Sequence, residues 1–249
     1  MKQSFYTLPT QRFPRRARIA LIADLHAGEP REILAALEKL KPDYILLAGD
    51  ILEALDGSRD IENEKAFGIF KGCADIAPTF YSTGNHEDGG VHSGSRGWNS
   101  LLERPRVYSE ENIERITKSG VELLLDSYVL RDGIAFGGLA SGIICRKGEP
   151  DLNFLERFSE LDLPQILICH HPEYYEKYIK RLNIDLIVSG HAHGGQWRFF
   201  GRGVYAPGQG LFPKYTSGVY DGRLVVSRGL KKGYIPRFFN PREIVIIDI

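Results

Sequence analysis

Short apolar runs recur along the chain, and each of them ends in polar residues. Five runs are about five residues long and consist mostly of β-branched, leucine or aromatic side chains, namely residues 18–23, 44–48, 79–82, 165–169 and 184–188. A run of this length and composition is typical of a strand that is buried on both faces. The pattern therefore predicts five central strands.

Helical patterns separate these runs. In residues 30–40 the apolar side chains fall on one stripe, and Pro30 suits a first helical turn. Residues 61–75 and 172–182 have similar patterns, and residues 109–119 begin with a capping serine. The alternation of strands and helices predicts an α/β fold with a largely parallel or mixed sheet.

The last third of the chain has a different pattern. Asp132-Gly133 and Asp221-Gly222 predict hairpin turns. Residues 224–227 and 243–249 predict strands, and no strong helical pattern accompanies them. We infer one domain over residues 1–249, with a second sheet that is more antiparallel than the first.

Charge and cysteine content narrow the class of protein. Lys plus Arg and Asp plus Glu are each 32, so no overall charge attracts nucleic acid or acidic lipid. Residues 1–23 hold five basic residues and no acid. This N-terminal arm predicts either peripheral contact with anionic headgroups or a solvated first strand.

No apolar run reaches the length of a membrane span, and the N-terminus has no signal-peptide core. Cys73, Cys145 and Cys169 show no paired spacing, which predicts free thiols in a reducing compartment. The expected location is cytoplasmic. The alternative is a cytoplasmic protein that contacts the membrane peripherally through the N-terminal arm.

Side chains that bind metals follow every one of the five predicted strands. They include five of the chain's seven histidines, and the set is Asp24, His26, Asp50, Asn85, His86, His170, His191 and His193. Catalytic groups collect at the carboxyl ends of strands in open α/β sheets. These residues are therefore expected to meet in one site.

The types and spacing of these residues indicate the chemistry. Asp24 and His26, like His191 and His193, are two positions apart, and in an extended backbone such pairs point to the same side. Carboxylate, imidazole and amide groups without a thiolate suit Mn, Fe, Co, Ni or Zn. Eight such groups are enough for two ions that share a carboxylate. A two-metal centre with a nearby histidine as proton donor predicts hydrolysis of a phosphoester.

The ordered motifs resemble those of the calcineurin-like metallophosphoesterases. They are Asp24-Leu25-His26, Gly49-Asp50, Gly84-Asn85-His86-Glu87, His170-x-Pro172 and Gly190-His191-Ala192-His193. The resemblance implies a four-layer αββα sandwich with two central mixed β-sheets. It also implies two divalent ions, with Mn²⁺ favoured over Fe, Zn, Co and Ni, and attack of a metal-bridging hydroxide on a phosphodiester or pyrophosphate.

The same resemblance implies a role for each residue. His86 is expected to act as the general acid or to position the phosphate, and Asp50 is expected to bridge the two ions. One ion would be held by Asp24, His26, Asp50 and His193, and the other by Asp50, Asn85, His170 and His191. Glu87 and His171 are interpreted as supporting residues and not as ligands.

Motifs in the tail resemble one bacterial branch of this family, which includes membrane-associated phosphoesterases and a UDP-diacylglucosamine pyrophosphatase. These motifs are residues 190–196, 205–207, 214–215, 217–220, 227–230 and 237–241. The resemblance implies a small-molecule or lipid-linked phosphoester substrate, and it favours diesters and pyrophosphates over monoesters.

Residues 88–107 are rich in glycine and predict a long surface loop. Such a loop is where substrate selection is expected to differ. Arg96 and Trp98 are hypothesised to contact a phosphate and an apolar or base moiety. The alternative is a solvated loop whose tryptophan packs on the domain.

Two other functions fit the same residues. A nuclease could use the same centre, although the balanced charge and the lack of a basic, aromatic run argue against a stable nucleic-acid partner. A non-catalytic scaffold would be expected to have lost ligands, and this chain retains all of them. Hydrolysis of a small or lipid-linked phosphoester is therefore the favoured function.

Overall fold

Two six-stranded β-sheets dominate the computed structural model, which describes residues 1–8, 11–53, 60–88, 90–92, 101–103, 110–142, 149–232 and 236–249. The strands are numbered in chain order. They are β1 (Lys2–Thr7), β2 (Arg18–Ile22), β3 (Tyr44–Ala48), β4 (Thr79–Ser82), β5 (Gly90–His92), β6 (Leu101–Glu103), β7 (Glu122–Leu123), β8 (Ser127–Arg131), β9 (Ile134–Leu139), β10 (Gln165–Cys169), β11 (Leu186–Ser189), β12 (Arg198–Phe199), β13 (Arg202–Gly203), β14 (Tyr205–Ala206), β15 (Gly210–Leu211), β16 (Gly218–Tyr220), β17 (Leu224–Val226) and β18 (Glu243–Asp248).

Both large sheets are mixed. The first has the order β1-β18-β2-β3-β4-β7, and only the β18–β2 pairing is antiparallel. The second has the order β16-β17-β11-β10-β9-β8, with antiparallel pairs at its two edges. The five predicted central strands are β2, β3, β4, β10 and β11. Apart from the half-buried Arg18, all of their residues are buried, which confirms that they are covered on both faces.

Four α-helices cover the sheets: α1 (Arg31–Leu40), α2 (Asp60–Ile76), α3 (Glu110–Lys118) and α4 (Leu152–Ser159). The first three confirm predicted helices. The predicted helix at 172–182 is wrong in kind, because only a five-residue π-helix forms there, over Tyr175–Ile179. Helix α4 was not predicted. It begins where the Asp151 side chain accepts a hydrogen bond from Phe154 N (2.9 Å), and it buries Phe154, Leu155 and Phe158.

Three apolar cores lie between four layers. One core joins α1 and α2 to the first sheet through Ile33, Leu37 and Phe70. A second fills the space between the two sheets, where Phe80 of β4 stacks on Phe136 of β9 with ring centroids 3.9 Å apart. The third joins α4 and the π-helix to the second sheet. This arrangement confirms the predicted αββα sandwich.

The two predicted hairpin turns are also confirmed. Asp132 (φ 53°) and Gly133 (φ 75°) connect β8 to β9, and Asp221 (φ 50°) and Gly222 (φ 69°) lie between β16 and β17. Positive φ at both positions is the backbone that a tight hairpin turn requires, and Asp-Gly sequences adopt it readily.

The basic N-terminal arm is part of the fold. Its first residues form β1, which pairs with β18. Arg12 lies 3.3 Å from Asp185, Arg15 lies 3.2 Å from Asp43, and Arg18 lies 2.8 Å from Asp248. At least three of the arm's basic side chains are thus paired with acids of the same chain. Membrane contact through this arm remains a prediction.

Cys73 and Cys169 are free and buried, as predicted, whereas Cys145 lies outside the described residues. In the described parts of the chain, none of the helices combines the length and the apolar character that crossing a bilayer requires.

Candidate metal centre

The carboxyl ends of the central strands in the two sheets meet at one edge of the sandwich. Two hydrogen bonds join the sheets there: His191 N donates to Asp24 Oδ1 (2.9 Å), and His170 Nδ1 donates to the Ala48 carbonyl (2.7 Å). Asp24 and Ala48 lie at the ends of strands of the first sheet, and His170 and His191 lie at the ends of strands of the second. The two hydrogen bonds therefore bring residues that are far apart in sequence into one buried site.

Six of the predicted metal ligands form two clusters in this site. Asp24, His26 and His193 make up one cluster, and Asp50, His170 and His191 make up the other. Within each cluster, one potential ligand atom from each residue lies within 4.8 Å of those of the other two. All six residues are buried. The structure therefore brings the sequence-predicted residues together as two groups of three.

In each of the two carboxylates, Asp24 and Asp50, the two oxygens have different roles. Asp24 Oδ1 accepts from His191 N, and Asp50 Oδ1 accepts from His86 N at 2.9 Å. Their Oδ2 atoms are buried and have no hydrogen-bond partner among the described residues, and the same holds for Nε2 of His26 and of His170. Buried polar atoms are rarely left unpaired, so these four atoms are candidates to bind a cation.

Asp50 Oδ2 lies at the centre of this arrangement. Nε2 of His170 is 3.3 Å away, Nε2 of His26 is 3.6 Å away and Nε2 of His86 is 3.9 Å away. One oxygen thus faces imidazoles from both clusters. This is the position that a ligand shared between two ions would occupy.

His170 and His26, whose Nε2 atoms lack a hydrogen-bond partner among the described residues, each form a hydrogen bond through the other ring nitrogen, Nδ1. His170 Nδ1 donates to Ala48 O, and His26 Nδ1 donates to Glu53 Oε1 at 2.7 Å. Because an acceptor fixes one proton on Nδ1, Nε2 is the ring atom that faces the site, and whenever the ring is neutral it presents a lone pair there. This tautomer is the one that metal-binding histidines commonly adopt.

Five candidate ligands have left-handed backbones. The φ angles are 52° at Asp24, 53° at His26, 51° at Asp50, 64° at His191 and 47° at His193. The side chains of each i, i+2 pair were expected to point to the same side because the backbone is extended. That reason is wrong, since the backbone at these residues is left-handed. Both pairs lie beyond their strands, and the turns themselves direct the side chains inward. Non-glycine residues adopt such angles infrequently, and they cluster at functional sites.

Close packing explains the glycine before Asn85. A Cβ atom added at Gly84 would clash with the Asp50 carboxylate. The backbone of the β4 loop therefore approaches Asp50 closely enough for His86 N to donate to it. Gly49 is similar, because a Cβ atom there would lie 2.5 Å from His170 Nδ1.

Burial sets the protonation of several of these groups. It lowers the pKa of His26 to about 4 and the pKa values of His191 and His193 well below the ordinary value. These three rings are consequently neutral near pH 7, as metal ligands must be. Burial also raises the pKa of Asp24 to about 7.

Asp50 and His170 behave as a pair. Burial alone would lower the pKa of His170, but the Asp50 carboxylate raises it to about 10. Burial would raise the pKa of Asp50, but His170 and His86 hold it well below its ordinary range. Asp50 is therefore ionised, and a divalent cation can replace the proton that His170 holds beside it.

Known proteins share this arrangement of motifs. The family model described as calcineurin-like phosphoesterase matches residues 17–195, which is most of the chain. The chain belongs to this family. The resemblance seen in the sequence motifs is thereby confirmed, and the protein is a metallophosphoesterase by family.

Proteins named as metallophosphoesterases match most of the length of this chain. One from Caenorhabditis elegans is 26% identical, and the alignment covers 98% of this chain and 51% of that protein. One from Campylobacter jejuni is 27% identical, and the alignment covers 93% of this chain and 59% of that protein. Phosphodiesterase YaeI of Escherichia coli is 29% identical over 73% of this chain and 62% of its own. The chain thus spans about half to three-fifths of the length of these relatives.

Among solved structures, TT1561 of Thermus thermophilus aligns with a TM-score of 0.49 and 18% identity, over 71% of this chain and 82% of that chain.

Asn85 and His86 follow β4 in the sequence of this chain. Asn85 is buried, and His86 lies at the surface of the site with 15% of its side chain exposed. Burial lowers the pKa of His86, but Asp50 and Glu53 more than offset this effect, so the pKa is raised. Among the candidate residues that the structure describes, His86 is the most exposed, and its raised pKa favours the protonated ring.

Sequence reasoning missed Glu53. Its buried carboxylate accepts from His26 Nδ1 at 2.7 Å and from His86 Nδ1 at 2.5 Å. Burial would raise the pKa of Glu53, but these two hydrogen bonds lower it. One carboxylate therefore orients both a candidate ligand and the candidate acid. Its signal in the sequence is an acid three residues after Asp50, on an otherwise apolar stretch.

Two tail residues that hold the last ligand were also missed as parts of the site. The backbone carbonyl of His193 accepts from Asn240 Nδ2 (2.7 Å) and from Arg237 Nη2 (3.0 Å). Asn240 also donates to Gln196 O at 3.0 Å. These contacts fix the turn that carries His193. Both residues lie in the tail motif 237–241, whose function the sequence did not reveal.

Other predictions near the site have mixed outcomes. Arg96 and Trp98, the hypothesised substrate-binding residues, lie outside the described residues. His171 is buried, with Nε2 2.7 Å from Ser141 Oγ and Nδ1 3.3 Å from Glu173 Oε1. These contacts agree with its interpretation as a supporting residue.

Glu87 supports the loops of the site. It is fully buried, and its carboxylate accepts four backbone N–H bonds, at 2.8 Å from Asp50, 2.8 Å from Gly84, 2.9 Å from Leu52 and 2.5 Å from Ile51. It therefore ties the turn after β3 to the turn after β4. Its interpretation as a supporting residue agrees with these contacts.

Replacing Glu87 by glutamine is expected to lower the free energy of unfolding by about 3 kcal/mol or more, because the amide NH₂ would face donors that are then left unsatisfied. Urea unfolding measures this effect. Glu38→Gln is the matched control, since Glu38 is exposed on α1 and should change stability by less than about 0.5 kcal/mol. Equal stability of the two variants would contradict the structural role of Glu87.

Proposed function

We propose that the protein hydrolyses a phosphodiester or pyrophosphate with two divalent metal ions bound between its two sheets. Asp24, His26, Asp50 and His193 would hold one ion, and Asp50, Asn85, His170 and His191 would hold the other. The observation that carries this proposal is the convergence of four buried atoms for which the described residues provide no hydrogen bond: Asp24 Oδ2, His26 Nε2, Asp50 Oδ2 and His170 Nε2.

The donor set fits such ions. Carboxylate oxygens and neutral imidazoles suit first-row divalent metals, with Mn²⁺ favoured among them. When bound, two ions supply Lewis acidity, which lowers the pKa of water and neutralises phosphoryl oxygens. The protein's own part is to present the ligands at fixed positions, through the left-handed turns and the hydrogen bonds to Asp24, Asp50 and His193.

His86 is proposed as the general acid. Glu53 holds its Nδ1, so Nε2 is the ring atom that faces Asp50 and the site. From this position Nε2 can carry a proton to the oxygen of the leaving group. Glu53 would act as a positioning residue, because it orients the ring and stabilises its charged form.

The proposed substrate is a small-molecule or lipid-linked phosphoester. The Escherichia coli relative named as a phosphodiesterase supports diesters among the members of the family. The partial exposure of His86 beside buried candidate ligands leaves one face of the site open to solvent. A substrate would approach from this face.

Hydrolysis of bis-p-nitrophenyl phosphate by chelator-stripped protein tests the proposal. Activity is expected to be absent after stripping and to return with Mn²⁺, because the open ligand atoms provide no acid or nucleophile that replaces the ions. The monoester p-nitrophenyl phosphate is the comparison substrate, and the diester is expected to be cleaved faster.

Full activity in the stripped protein, or none with any of Mn²⁺, Fe²⁺, Co²⁺, Ni²⁺ and Zn²⁺, would contradict a metal-dependent phosphodiesterase. Cleavage of an oligonucleotide at a much higher rate than the nitrophenyl diester would support the nuclease alternative instead.

A further inference from the structure

Five phenylalanines lie on the surface beside the candidate metal centre. Their exposed fractions are high, with 106% for Phe200, 79% for Phe212 and for Phe239, 56% for Phe238 and 53% for Phe199. They come from the β12–β13 hairpin (Phe199 and Phe200), from the loop after β15 (Phe212) and from residues 236–240 (Phe238 and Phe239). Together they are called the aromatic rim.

Contacts link the three segments that carry the rim. The rings of Phe199 and Phe239 have centroids 6.3 Å apart, and Arg198 N donates to the Phe238 carbonyl at 3.0 Å. Phe212 lines a surface groove together with Gly201 and Arg202, which belong to the turn that carries Phe200. Phe199 and Phe239 are thus neighbours, and Phe212 borders the turn that carries Phe200.

Backbone geometry at the rim is unusual. Phe200, Phe212 and Phe239 have φ angles of 49°, 52° and 52°. For a bulky residue this left-handed conformation is an outlier, and glycine or asparagine would adopt it more easily. Each of the three loops thus has a phenylalanine at a position whose left-handed backbone conformation disfavours a bulky residue. The side chain at each of these positions is exposed to solvent. Such outliers point to a function for the side chain.

Basic residues outnumber acidic ones in the stretch of chain that carries the rim. Residues 196–242 contain nine basic residues and one acid, Asp221, although the whole chain is balanced at 32 and 32. Arg202 and Lys232 are exposed, and Arg202 lies in the same turn as Phe200. Lys214 is exposed too, but it pairs with Glu176 at 2.7 Å. The rim is therefore an apolar patch set in a basic surface.

The rim is also fixed to the candidate centre. Arg237 and Asn240, which flank Phe238 and Phe239, both donate to the carbonyl of His193. Phe199 follows His193 by only six positions. A surface that docks through the rim would consequently hold a defined position relative to the metal ligands.

We propose that the aromatic rim inserts into the interface of an anionic lipid bilayer and that its basic residues bind the headgroups. Aromatic side chains with adjacent lysine or arginine are the composition that binds such interfaces. A fluid surface accommodates separate rings that project from three loops. A protein partner would need a pocket that matches each of these rings. This inference goes beyond the proposed hydrolysis, and binding can be measured without turnover.

Flotation of the full chain with vesicles tests the proposal. The protein is expected to float with vesicles of phosphatidylcholine mixed with phosphatidylglycerol, and much less with phosphatidylcholine alone. The double variant Phe200→Ser, Phe239→Ser is expected to lower the partition coefficient about tenfold, because less apolar area is buried. Arg202→Gln with Lys232→Gln should weaken binding to the anionic vesicles only.

Phe5→Ser is the matched control, since Phe5 is 55% exposed on β1 in the basic N-terminal arm. It should leave flotation unchanged, and the melting temperatures of all variants show whether they remain folded. Failure of the wild type to bind anionic vesicles would overturn the proposal, and so would loss of binding in Phe5→Ser with retention in the rim variant. A lipid-free dimer that the rim variant dissociates would identify the rim as a self-association surface instead.

Discussion

Replacing Asp50 by asparagine is expected to remove both metal ions at once and to lower kcat by about a thousandfold or more. Asp50 Oδ2 lies 3.3 Å from Nε2 of His170 and 3.6 Å from Nε2 of His26, so a single oxygen faces both ligand clusters. The substitution keeps the side-chain volume and an oxygen acceptor for His86 N, but it removes the negative charge that two cations would share.

Metal content per chain, measured by mass spectrometry after gel filtration, checks this prediction. Asp24→Asn is the matched variant, because Asp24 belongs to only one cluster and should cost one ion. Two tightly held ions and normal turnover in Asp50→Asn would refute a bridging role for Asp50.

Replacing His86 by glutamine is expected to lower kcat by about a hundredfold to ten-thousandfold for diesters with poor leaving groups. An alkoxide or a basic phenolate needs a proton as it departs, and His86 Nε2 is the proposed source. The loss should be small for p-nitrophenolate, which leaves without a proton. Metal content should be retained, because His86 is not assigned as a ligand.

A series of aryl diesters with phenols of different pKa measures this effect. The rate should depend more steeply on the pKa of the phenol in the variant than in the wild type. Glu53→Gln keeps the ring but alters its partner, so an intermediate loss of about tenfold to a hundredfold with a shifted pH profile is expected. An unchanged dependence on the leaving group in His86→Gln would exclude His86 as the acid.

The sequence was sufficient for the central strands and for the residues that the site brings together. Runs such as 44–48 are apolar throughout, which only a doubly covered strand explains, and the polar residue that follows such a run must lie at the sheet edge. Asp50 and His170 could therefore be placed beside each other, although 120 positions separate them.

The supporting contacts could not be predicted in the same way. Glu53 has its role because two rings from different strands converge on it, and no local pattern records that convergence. The left-handed angles at Asp24 and His193 depend on tertiary hydrogen bonds, such as those from Asn240 to the His193 carbonyl. Helix α4 is short, so its single stripe of Phe154, Leu155 and Phe158 gave too weak a periodic signal.

The position of β18 bears on how the protein is synthesised. This strand lies inside the first sheet, between β1 and β2, and it comes last in the chain. During translation β1 therefore has no neighbour in the sheet, and β2 exposes one edge, until residue 248 has emerged from the ribosome. Such an unpaired edge attracts other strands. The first sheet is consequently completed only after all of its other strands have been synthesised, and a nascent chain stalled before β18 should depend on chaperones far more than the chain that includes β18.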